Sequence, residues 1–154
     1  MPSDGGLLWK EYYASGVEHI DNQHMELFET ATDNLLDLIQ SPNSYKNKQG
    51  IVNSIQFLKV YTLRHFKDEE EYARLAEYPD LDAHILSHEV LKADVAKYEK
   101  LLVASNFALP IVKRFLAFVL SWLMQHVGDE DVRMLRHSLA KNNGKLSDAE
   151  QQTA

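Results

Sequence analysis

Apolar residues recur three and four positions apart along four long stretches of this chain. Leu27, Phe28, Ala31, Leu35, Leu38 and Ile39 do so in the first stretch, and Ile51, Ile55, Leu58 and Leu63 in the second. Ile85, Val90, Val95 and Leu102 mark the third; Phe115, Val119, Trp122, Leu123 and Val127 mark the fourth. This is the period of a buried helix face, not the alternation of a strand. Pro42, Pro79, Pro110 and the run Asn142-Asn143-Gly144 punctuate the stretches. The pattern predicts helices over 19–40, 45–77, 81–103 and 109–139. Asp80 stands where it can cap the third helix, and Pro110 suits the first turn of the fourth. Arg133, Arg136 and His137 fall late in the fourth helix, where positive charge complements the helix dipole. Short connections make consecutive helices antiparallel neighbours, so the expected fold is all-α, an up-down-up-down four-helix bundle. One domain is expected over 1–154. It comprises an irregular arm over 1–16 that Leu7, Leu8 and Trp9 pin to the bundle, helices over about 17–140, and a polar tail over about 141–154.

Composition narrows the function more than the fold. At 154 residues and 45% hydrophobic positions, the chain is large enough for one real core. Its net charge of −7, from 16 basic and 23 acidic residues, is the wrong sign for nucleic acid or an anionic membrane. With no cysteine there is no disulfide, thiolate zinc site, iron–sulfur cluster or cysteine nucleophile. Met1 to Lys10 lacks the basic-then-apolar pattern of a secretory leader. The most apolar run, Phe115 to Met124, is too short to span a bilayer. The expected location is the cytoplasm, with no membrane insertion; a protein partner is left open.

Seven histidines carry the chemistry. His65 and Glu69 in the second helix, and His84 and His88 in the third, are four residues apart. Such pairs share one helix face about 6 Å apart along the axis. The fourth helix offers His126 and Asp131, whose five-residue spacing turns about 140° around an ideal helix and does not by itself suggest a shared site. His24 stands beside Leu27 and Phe28 on the apolar face of the first helix. Taken singly, each is as well read as a hydrogen-bonded core histidine or a surface ion pair. Jointly they place a candidate ligand among apolar neighbours on every helix. Burying five imidazoles and two carboxylates without a metal would leave several polar groups unpaired. Seven ligands exceed one tetrahedral zinc and suit two octahedral ions bridged by carboxylates, and imidazole with carboxylate suits iron. No histidine has Glu three residues before it, which removes a ferritin-like site. His88-Glu89 is followed by Lys92 where a zinc protease needs its second histidine.

Four pieces of the chain resemble the hemerythrins, most closely the single-domain bacterial ones. They are Ile20-Asp21-Asn22-Gln23-His24, His65-Phe66-Lys67-Asp68-Glu69-Glu70, His84-x-x-x-His88 and His126-x-x-x-x-Asp131. The resemblance runs from about Val17 to Asp131, and the five-residue step from His126 is the family's own. It implies that His84, His88 and His126 bind one iron, that His24 and His65 bind the other, and that Glu69 and Asp131 bridge them with an oxo or hydroxo group. It further implies an open position on the two-histidine iron that takes O₂, held as hydroperoxide, or small anions. Only two carboxylates among neutral imidazoles leave little negative charge on the metals. That favours the ferrous pair and disfavours high-valent iron, hence binding over O–O cleavage. Leu27, Phe66, Trp122 and Leu123 are placed to wall the open side against water, although plain core packing explains each of them equally well.

Some positions depart from the family. Tyr72 and Ala73 stand one turn after Glu69, where many bacterial members carry Met or Leu; if Ala73 faces the pocket, it leaves a void. His19 and His137 match no ligand and read as surface or capping residues. The expected function is reversible O₂ binding for delivery, storage or sensing, with no catalytic residue. The alternative is an oxidase, peroxidase or nitrogen-oxide reductase on the same irons; it needs an acid near the open position, for which Tyr72 is the only candidate. An iron store is disfavoured because one closed site offers no volume for many ions; a sensor normally needs an output domain, for which this chain has no room, so sensing is expected to take a separate partner protein.

Overall fold

The computed structural model describes residues 5, 6, 8–41 and 47–141. Four long helices dominate it. The first, α1, runs over residues 18–40 as an α-helix Glu18–Glu29, a π-turn Thr30–Leu35 and a closing segment Leu36–Gln40. Then come α2, Lys48–Leu75, and α3, Leu81–Ala104. The last, α4, covers residues 109–141 as Leu109–Gln125, a π-turn His126–Asp131 and a further stretch of α-helix. Each helix packs on its sequence neighbour, and α4 closes the ring against α1. The all-α bundle is therefore as the periodicity predicts. Pro42, the Asn142-Asn143-Gly144 stop, Leu7 and the tail lie outside the described residues. No helix among those described is long and apolar enough to cross a membrane.

The core follows the periodic stripes with two exceptions. Leu27, Phe28, Ala31, Leu35, Ile51, Ile55, Leu58, Leu102, Phe115, Leu123 and Val127 are buried in one cluster. Leu63 and Val90, expected inside, are 44% and 54% exposed. In α3 the inward stripe is His84, His88, Leu91 and Leu102. Val90 stands one residue before Leu91 and so falls about 100° off that stripe. The histidines themselves take up core positions, and an apolar-only reading of the pattern drifts off the face.

Both connections that are described close without glycine. Glu77 and Asn106 adopt positive φ at the ends of α2 and α3. Backbone bonds from Tyr78 N–H to Ala73 O and from Phe107 N–H to Leu102 O, 3.0 and 2.7 Å, reach back over the last turn. This satisfies carbonyls that a helix end leaves unpaired. Asp80 does occupy the N-cap position of α3, but its side chain makes no capping bond; Pro110 stands in the first turn of α4 as expected.

The arm is fastened more firmly than its sequence suggests. Leu8 and Trp9 pack on the main core, joined by Tyr13 in a short helical turn, Glu11–Tyr13. Tyr13 is buried and stacks on Phe28 with ring centroids 5.2 Å apart. Asp21 accepts bonds from Ser15 N–H, Ser15 Oγ and Gly16 N–H at 2.7–3.1 Å. A buried carboxylate with several donors is stable where an unpaired one would not be. Asp21, part of the family-like motif, thus serves the arm rather than the centre of the bundle.

Candidate metal centre

All seven residues expected to bind metal converge in the bundle interior. His24, His65, Glu69, His84, His88, His126 and Asp131 are each no more than 5% exposed. They form two groups of mutually close ligand atoms: Glu69, His84, His88, His126 and Asp131, and His24, His65, Glu69 and Asp131. The two carboxylates belong to both. Glu69 Oε1 lies 2.7 Å from His84 Nε2 and 3.3 Å from His88 Nε2, while its Oε2 lies 3.1 Å from Nε2 of both His24 and His65. Asp131 divides the same way: Oδ1 is 3.0 Å from His84 and 2.8 Å from His126, and Oδ2 is 3.1 Å from His24.

Local helix geometry explains why Asp131 can join. On an ideal α-helix it would point well away from His126. The π-turn His126–Asp131 takes one extra residue into its hydrogen-bonded ring, which returns position i+5 to the face of position i. The other pairs, His65 with Glu69 and His84 with His88, need only the ordinary helical repeat.

The donor set fits metal ions better than it fits hydrogen bonds. Both oxygens of Asp131 are buried without a hydrogen bond, although three imidazole nitrogens stand within 3.1 Å. Close approach without hydrogen-bond angles is what atoms show when their lone pairs aim at a common point. His24 Nε2 and His65 Nε2 are 3.0 Å apart, as are His88 Nε2 and His126 Nε2. Ligands about 2.1 Å from one ion at right angles are separated by about 3.0 Å, the octahedral spacing.

Electrostatics agrees. Burial opposes charge on His24 and His84, but Asp131 and Glu69 outweigh it and push them up to about 9 and about 10. Burial also pushes Glu69 and Asp131 upward; the surrounding imidazoles more than offset this and hold both carboxyls below their usual range. His65 goes the other way, held down by burial and by the nearby His24. The same attraction between two carboxylates and the rings around them is what a bound cation would satisfy, since it would balance the carboxylate charge in place of a proton.

A further ring of polar groups orients the imidazoles, and sequence reasoning assigned it no role. His65 Nδ1 faces Gln23 Oε1 at 2.7 Å, and Gln23 Nε2 donates to Asp68 at 2.8 Å. His88 Nδ1 lies 3.0 Å from Glu70. His126 Nδ1 lies 3.1 Å from Ser87 Oγ and 2.9 Å from Glu130. Acceptors at Nδ1 fix the tautomer that leaves Nε2 free for metal. Gln23, Glu70, Ser87 and Glu130 each stand close to a ligand in sequence, which is the one signal that was there to find. His24 Nδ1 is buried with no hydrogen-bond partner among the described residues.

Leu27, Phe66, Trp122 and Leu123 all line one apolar cavity of about 270 Å³ beside the cluster. Phe66 stacks on His88 with centroids 3.8 Å apart, and Trp122 stacks on His126 at 4.1 Å. Ala73 does not open a void there. It is fully buried against Ile20, Met134 and Leu135 in a separate small cluster, on which Tyr72 also packs. His19 is an exposed residue near Asp68, and His137 lies against the Tyr78 ring.

Residues 15–137 match the family model described as the Hemerythrin HHE cation binding domain. A bacteriohemerythrin of Clostridium acetobutylicum is 27% identical over 125 residues, 81% of this chain and 95% of that protein. One from Pseudomonas paraeruginosa is 29% identical over 138 residues, 88% of this chain and 85% of the relative. A hemerythrin of Sipunculus nudus is 28% identical over 133 residues, 86% of this chain and 94% of that protein. Every residue of the buried histidine and carboxylate cluster falls inside the matched stretch, and the chain belongs to the hemerythrin family.

Proposed function

We propose that the seven buried side chains hold two iron ions and that the protein binds O₂ reversibly between them and the apolar cavity. His84, His88 and His126 would hold one ion and His24 and His65 the other, and Glu69 and Asp131, which belong to both groups, would serve both. The observation that carries this is the unequal division of histidines between two groups that share both carboxylates. The first group offers three imidazoles and two carboxylate oxygens, the second two imidazoles and two carboxylate oxygens. An ion in the second group would therefore have fewer protein ligands and would be the one left open to O₂ or a small anion.

Bound iron supplies the reversible one-electron chemistry at each ion; the protein decides what else reaches it. Leu27, Phe66, Trp122 and Leu123 line the apolar cavity, and Phe66 and Trp122 stack on His88 and His126, so hydrocarbon rather than polar groups stands on that side of the cluster. Gln23, Glu70, Ser87 and Glu130 act behind the rings at Nδ1, where they orient ligands and deliver no proton to the open position. Tyr72, the one acid suggested for an enzyme, packs beside Ile20 and Ala73 instead. Binding is therefore favoured over an oxidase, peroxidase or nitrogen-oxide reductase.

The test is gas exchange on the iron-loaded, reduced protein. Uptake of one O₂ per chain, returned on flushing with argon, is expected. Uptake that is never returned points to redox turnover instead.

A further inference from the structure

The cavity is far larger than O₂ requires. An apolar cavity of about 150 Å³ suffices to hold benzene. This one has about 270 Å³ and is lined from α2, α3 and α4, with Leu27 of α1. Of its lining residues only Lys59, Thr62, Lys92 and Glu99 are polar; the rest are aliphatic or aromatic. Lys59, Lys92 and Glu99 have side chains 35–41% exposed, which sets them at the mouth. Phe66, Phe115 and Trp122 supply its aromatic lining.

We propose that this cavity is a binding site for a neutral hydrocarbon, an aromatic or aliphatic molecule of roughly six to ten carbons. The charge balance at the mouth selects neutrality. Lys59 is held by both oxygens of Glu99 at 2.7–2.8 Å, and Lys92 by Glu89 at 2.8 Å. A fatty acid would bring a carboxylate to lysines that already have one, with Glu89 and Glu99 beside it. A hydrocarbon loses no ion pair on passing them and gains by burying its surface against apolar walls. Its floor is Phe66 and Trp122, each stacked on an imidazole of the three-histidine group. The occupant therefore sits one ring away from the metal ligands and shares the wall that shields the O₂ position. The inference rests on the cavity and not on the O₂ reading, since occupancy can be measured in any iron state.

Calorimetric titration of the iron-loaded ferric protein with toluene, naphthalene and octanoate tests it. The expected result is one toluene or naphthalene per chain, with octanoate weaker. In the double variant Val95→Phe with Val119→Phe, hydrocarbon binding falls by about tenfold or more while iron content is unchanged. Should that variant not fold, Leu63→Trp at the half-exposed rim closes the mouth from outside and gives the same loss. Absence of hydrocarbon binding overturns the proposal, and so does binding that survives the filled cavity. Octanoate binding tighter than toluene overturns its neutrality. A chain that dimerises and expels toluene as it does so assigns the cavity to a second copy, which also overturns it.

Discussion

Gly128 lies in the π-turn between His126 and Asp131, where a helix-favouring substitution is expected to do harm. On an unobstructed helix, Gly→Ala stabilises by about 1 kcal/mol. Here a Cβ at position 128 would stand 2.8 Å from Tyr13 Cε1 and 3.2 Å from its Cδ1. The Tyr13 ring has little room to retreat: Phe28 stacks on it at 5.2 Å, Tyr12 lies at 4.6 Å and Trp9 at 5.5 Å. Overpacking a filled site costs about 1–3 kcal/mol. Set against the helix gain, this gives a net loss of about 1 kcal/mol, or about 2–4 °C in Tm for a domain of this size. The assay is thermal unfolding of iron-loaded Gly128→Ala at fixed protein and iron concentrations, since bound metal shifts the apparent stability. The informative arm is the same substitution in a Tyr13→Val background, which removes both clashing carbons. There Gly128→Ala should turn stabilising by about 1 kcal/mol, a coupling of about 2 kcal/mol between the two sites. Equal stabilisation in both backgrounds would refute the packing of arm against π-turn.

Three further substitutions probe the centre itself. His126→Ala should lose iron and destabilise the bundle, because metal binding and folding are coupled; metal analysis showing two irons per chain would contradict the ligand assignment. Gln23→Leu removes the acceptor at His65 Nδ1 and should weaken iron binding about 10–100-fold in a chelator competition, with an unchanged affinity counting against a positioning role. Leu123→Ala should cost about 2–5 kcal/mol in chemical denaturation and accelerate autoxidation of the oxygenated protein. An unchanged autoxidation rate would return Leu123 to plain packing.

What could be read from the sequence follows the regularity of the structure. Four helices and the pairs His65/Glu69 and His84/His88 were legible because they obey the ordinary helical repeat. The partnership of His126 with Asp131 was not legible from geometry, because the π-turn that creates it leaves no local signal in His-Val-Gly-Asp-Glu-Asp; only family resemblance supplied it. Gln23, Glu70, Ser87 and Glu130 were hidden for another reason. A polar residue beside a ligand is ordinarily a solvated one, and its aim toward Nδ1 is a matter of side-chain direction. The arm was half legible. Trp9 announced itself as an apolar anchor, whereas the grip of Asp21 on Ser15 and Gly16 depends on a turn that composition does not encode. Ala73, one turn after Glu69, reads from sequence as a hole in the oxygen pocket, but Ile20, Met134 and Leu135 fill the space around it.

Iron content and the visible spectrum, followed through one oxygen cycle on the same sample, test the central claim most directly. Two irons per chain are predicted, with a charge-transfer band that appears when the reduced protein meets O₂ and vanishes when O₂ is removed. Two irons that pass straight to a ferric spectrum without that band, or a centre that holds no iron, would contradict it.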